Sequence, residues 1–66
     1  MEIRVNGSSR HFAGDLTVAA LLELVDAPKT GVAVAIDSSV VRRAEWPTTY
    51  VRDGAVVEIL TAVQGG

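Results

Sequence analysis

A chain of 66 residues is one domain, and a domain of this size buries only about 60% of the surface its unfolded chain exposes, so a deep pocket lined by its own residues is not expected. Hydrophobic residues make up 48% and charged residues 21% of the sequence, and six basic against eight acidic side chains leave a formal net charge of -2; that is a globular composition without the basic stripe that nucleic acid would require. Cysteine is absent, which excludes disulfides, thiolate metal sites and a cysteine nucleophile.

The opening MEIRVNG has neither the basic stretch nor the apolar run of a signal peptide, and no apolar segment approaches the ~18 residues of a membrane span. A cytoplasmic location is therefore expected, with no membrane partner. Met1, Ile3 and Val5 alternate with Glu2, Arg4 and Asn6, the pattern of a strand with one face on a core. Asn6 and Gly7 tolerate positive φ and predict a tight hairpin. Ser8 to Ala13 is the expected return strand, anchored in the core by Phe12, and Gly14 with Asp15 ends it.

From Leu16 the period lengthens to about 3.6, since Val18, Leu21, Leu22 and Val25 recur at helical spacing. Thr17 stands where an N-cap belongs, and Leu16 and Leu21 hold the two positions of a hydrophobic staple. The spacing predicts a helix ending near Asp26 or Ala27, ahead of Pro28. Lys29, Thr30 and Gly31 form the crossing to a third strand, Val32 to Ile36, whose Val32, Val34 and Ile36 share a face. Ala33 and Ala35 then leave the other face either crowded or bare for a partner. Asp37, Ser38 and Ser39 predict a turn, Val40 and Val41 a short strand, and Arg42 to Trp46 one helical turn closed by Pro47. After a weakly alternating Thr49 to Val51, Asp53 and Gly54 reverse the chain into a final strand. There Val57, Ile59, Thr61 and Val63 share the buried face, with Glu58 on the other. Crossing back over the hairpin returns the chain beside the first strand, where parallel pairing makes the last strand central. One domain over residues 1–66 is expected, ending in a flexible Gly65–Gly66 tail.

Conventional sites are poorly supported. His11, the only histidine, reads as an ordinary strand or surface residue, and the carboxylates are scattered over turns, helix ends and solvated faces. Arg42 and Arg43 form either a solvated pair or a contact for an acidic patch. Trp46 either packs the edge of the core or anchors an interface. Ala33, Ala35 and Val56 together could form a binding patch. What remains is the carboxylate of Gly66. A carboxylate is a poor electrophile, so a separate enzyme would have to activate it, for example as an acyl-adenylate. Gly65 and Gly66, with no side chains, suit a channel too narrow for other residues. A sulfur nucleophile would then yield a thiocarboxylate, and a lysine amine an isopeptide.

Over nearly its whole length the sequence resembles the ThiS family, small sulfur carriers of thiamine biosynthesis with a ubiquitin-like β-grasp fold. MEIRVNG, LTVAALLELV, VAVAID, VVRRAEW and above all DGAVVEILTAVQGG carry the likeness. Two positions depart from the family pattern: Ala55 stands where an acidic residue is usual, and Arg42 where proline is frequent. The resemblance implies an α+β fold, a mixed sheet with one helix lying across it. It further implies that Gly66 is adenylated by a ThiF-like E1-type enzyme and converted to a thiocarboxylate with sulfur relayed from a cysteine desulfurase. Thiazole synthase, ThiG, would then take the sulfur. ATP would belong to the activating enzyme, and the chain itself would hold no cofactor or metal and would not be an enzyme. The alternatives are the small subunit of molybdopterin synthase or another β-grasp sulfur carrier, a conjugating modifier, and a non-covalent β-grasp interaction module with a frayed end.

Overall fold

A computed structural model describes residues 1–28 and 30–61. Strands β1 (Glu2–Val5) and β2 (Ser8–His11) form the hairpin expected at Asn6 and Gly7, whose φ angles of 49° and 85° belong to the turn that matches strand twist. A short strand β3 (Leu16–Thr17) leads into helix α1 (Val18–Leu24). Strands β4 (Val32–Ile36) and β5 (Ser39–Val41) follow, then a 3-10 turn over Arg43–Glu45, strand β6 (Tyr50–Val51) and strand β7 (Val56–Thr61).

The main sheet has five strands in the order β2-β1-β7-β4-β5. The last strand is therefore central, as expected. It pairs in parallel with β1, Arg4 opposite Val56 and Val5 opposite Val57, and antiparallel with β4 from Ile36–Val57 to Val32–Thr61. The helix covers one face of this sheet. Ile3, Val18, Leu21, Val34 and Val57 are almost wholly removed from solvent, at about 1.5–3 kcal/mol for each large apolar side chain fully buried.

Local signals account for the helix. Thr17 Oγ1 accepts from the Ala20 amide at 3.1 Å, the N-cap expected. Two further amides of the first turn, Val18 and Ala19, donate to the carbonyls of Thr49 and Trp46. The helix stops at Leu24, sooner than its apolar spacing predicts. The cause is a Schellman closure, with Ala27 N donating to Leu22 O at 2.9 Å and Asp26 N to Glu23 O at 3.1 Å, while Asp26 adopts φ 58° in a place glycine usually fills.

Three expectations need correction. The return strand ends at His11 rather than Ala13, and all four of its residues are exposed; Phe12 lies just beyond it, half-buried against the core rather than in it. Its backbone still continues the ladder, because Phe12 N donates to Met1 O and the Met1 amino group donates to Phe12 O. Leu16 and Thr17 also pair antiparallel with Val51 and Tyr50 as a second, two-stranded sheet, too short to leave a period. The exposed Thr61 does not share the burial of Val57 and Ile59. Lys29, Val63, Gly65 and Gly66 lie outside the described residues.

Candidate functional site

Strand β7 runs between two neighbours and ends at Thr61, five residues before Gly66 in sequence. Its anchorage begins at the turn before it. Gly54, at φ 84°, donates its amide to Glu2 O at 2.7 Å, and Asp53 Oδ1 accepts from the Glu2 amide at 2.7 Å. Asp37 grips the other edge, its Oδ1 accepting from Val56 N at 2.9 Å while its own amide donates to Val56 O at 2.8 Å. Farther along, Asn6 Oδ1 accepts from Ile59 N at 2.8 Å and its Nδ2 donates to Ile59 O at 3.1 Å. With Val57 and Ile59 in the core and Ala55 only 4% exposed, β7 is held at its start, edges and underside. The site residues expected from sequence, Gly65 and Gly66, lie outside the described residues and follow this strand in the chain.

The face of the sheet away from the helix is bare. Register places Ala35 opposite Val40 and Ala33 opposite Leu60, with Glu58 and Val56 on the same side of β7. Val40 is 76% and Leu60 64% exposed, large values for aliphatic side chains on a sheet. The alanines thus front an open surface rather than a crowded one, and the patch foreseen from Ala33, Ala35 and Val56 extends to two residues that sequence reasoning passed over. Leu60 was findable, since it continues the two-residue period of Val56 and Glu58.

The remaining candidates separate cleanly. Trp46 is a core residue: it is buried, and its indole Nε1 donates to Val41 O at 3.0 Å. Arg43 stacks its guanidinium 5.4 Å from the Trp46 ring centre, a cation–π contact, and both Arg42 and Arg43 are exposed. His11 is an exposed strand residue whose Nε2 lies 3.8 Å from Glu2 Oε1; Ser9 Oγ donates to the other oxygen of the same carboxylate. Among the described residues no three His, Cys, Asp or Glu side chains gather to hold a metal ion, and no helix is long and apolar enough to cross a membrane.

Comparison with known proteins agrees with this architecture. The ThiS family model matches residues 3–66. The chain is 33% identical over 66 residues to the sulfur carrier protein ThiS of Escherichia coli K12, covering all of both chains. It is also 32% identical over 66 residues to a stretch of a thiazole synthase from Paramagnetospirillum magneticum, of which it spans 20%. The crystal structure of the thiamine biosynthesis protein ThiS from Geobacter metallireducens superposes with a TM-score of 0.84 at 32% identity, each chain covered in full. A solution structure of a thiamine biosynthesis protein from the same organism gives 0.80 and is covered over 88% of its length. In sequence along nearly its whole length and in the β-grasp arrangement of its sheet and helix, the chain belongs to the ThiS family, and it is a sulfur carrier of thiamine biosynthesis, not a catalyst.

Proposed function

We propose that the reacting group is the carboxylate of Gly66, with Gly65 as the slender neck that lets it enter a partner's channel. A ThiF-like enzyme supplies ATP, and the carboxylate displaces pyrophosphate to form an acyl-adenylate. The outer sulfur of a persulfide charged by a cysteine desulfurase attacks the carbonyl and expels AMP, and a thiol then cleaves the acyl disulfide, leaving a thiocarboxylate on the carrier and a disulfide on the donor. The resulting thiocarboxylate is offered to thiazole synthase. ATP stays with the activating enzyme, and the carrier itself holds no cofactor. A cytoplasmic setting suits a step that consumes ATP.

The observation that carries this reading is the place of β7. It is the innermost strand, paired on both sides, and it leads directly to AVQGG, so the terminus starts from a fixed point of a small rigid body. The thiazole synthase whose sequence includes a stretch like this chain supports that enzyme as the sulfur acceptor, because a covalent union suits components that act on one another. The open face bearing Val40, Val56 and Leu60 is the surface we assign to protein partners.

Mass spectrometry of the intact chain tests the proposal. Incubated with ATP, the cognate adenylating enzyme and a sulfur source, the protein should gain the mass difference between one sulfur and one oxygen. Deleting Gly66, or adding a residue after it, should abolish that gain and leave the thermal unfolding curve unchanged. An unmodified wild-type chain beside an activating enzyme of demonstrated competence would defeat the assignment.

A further inference from the structure

Strand β1 ends at Val5, whereas β7 continues to Thr61, so the edge of β7 facing β1 outlasts its backbone partner. The backbone ladder on that edge includes the Arg4 amide on Ala55 O and the Asn6 amide on Val57 O, both at 2.9 Å. At Asn6 and Gly7 the main chain turns away into β2. A first strand that ran straight on would offer Ile59 a carbonyl from residue 6 and an amide from residue 8. The Asn6 side chain supplies both instead, its Oδ1 and Nδ2 taking the Ile59 N–H and C=O. A primary amide carries the same donor and acceptor as a peptide group; a carboxylate carries only the acceptor, and glycine neither.

The turn and this mimicry are separable demands on one residue. The turn asks only for tolerance of positive φ, which glycine and aspartate also have. The pairing with Ile59 asks for a planar amide. We infer that Asn6 is a positioning residue for activation of the carrier, an inference that rests on Gly66 being the reacting terminus. By continuing the ladder to Ile59, Asn6 holds the outgoing end of β7 in register, while Leu60 and Thr61 are paired with Ala33 and Val32 on the opposite edge. Without it, the outgoing end of β7 is held from the β4 edge alone, and the reacting carboxylate is aimed less closely once the carrier is bound. Displacement of about 1 Å at a reacting group costs on the order of 100-fold in rate, so the effect belongs in the catalytic step rather than in docking.

The full-length chain, N6G and N6D are compared by amide hydrogen exchange and by pyrophosphate release with ATP and the cognate adenylating enzyme. In N6G the Ile59 amide should exchange about tenfold faster while that of Glu58, paired with Ala35 of β4, stays at its wild-type rate; kcat should fall about tenfold with KM within about twofold. N6D keeps the acceptor for Ile59 N–H and should give an intermediate kcat with that amide still protected. If N6G does not fold, that pairing of a protected amide with a reduced kcat in N6D is the supporting result, and a wild-type kcat in N6D is the opposing one. Faster Ile59 exchange with an unaltered kcat, unaltered exchange, or a rise in KM alone would each overturn the inference. Failure of the wild-type chain to be activated would instead bring down the Gly66 reading, and is recognised before any substitution is made.

Discussion

Leu21 projects from the helix and Val57 from β7, and both are completely buried. A 66-residue domain has a total stability of about 3–10 kcal/mol, and removing a buried leucine side chain beyond its β-carbon costs about 2–5 kcal/mol. Leu21→Ala should therefore remove a large part of the folding free energy, visible as a much lower urea midpoint. Core residues of this kind were legible because they recur at the helical or two-residue period. Phe12 was not, because a large aromatic side chain in a predicted strand looks like an anchor whether or not the strand reaches that far; here β2 ends one residue earlier. Trp46 was open between core and interface until its indole was found on Val41 O, a partner five positions back that no periodicity announces. The second role of Asn6 was equally hidden, since its hairpin signal explains the residue fully until Ile59 is seen beside it.

Helix α1 has seven residues, too few to persist alone in water, so its ends matter. Thr17→Ala should cost about 1 kcal/mol by stranding the Ala20 amide, and Thr17→Ser should restore most of it, as read from thermal unfolding. The N-cap was plain in the sequence, and Leu16 and Leu21, at the staple positions, are both buried. The C-terminal stop was misplaced because Asp26 takes the left-handed position that glycine would have marked. Pairing of β3 with β6 was likewise invisible: two residues on each side make a contact without making a pattern. The central parallel placement of β7 was inferable because a hairpin, a crossing helix and a final apolar strand leave few ways to close a sheet.

For the molecule as a whole, the sheet divides labour between its faces. One packs against the helix and supplies stability; the other leaves Val40, Val56 and Leu60 exposed, the face we assign to partners. Leu60→Glu should shift stability by no more than about 0.5 kcal/mol in a denaturant titration, because Leu60 is exposed, yet lower kcat/KM with the adenylating enzyme by about tenfold, equivalent to ~1.4 kcal/mol of lost association. The pairing of Arg4 and Val5 with Val56 and Val57 has another consequence, one for biosynthesis. During translation the hairpin and helix emerge first with Ile3 and Leu21 unsheltered, and they must wait for the strand made last. A nascent chain cut short before that strand lacks the middle of its sheet and remains open to proteolysis. The topology thus ties folding to the synthesis of β7, and a chain that has folded is one whose translation has passed the middle strand of its sheet.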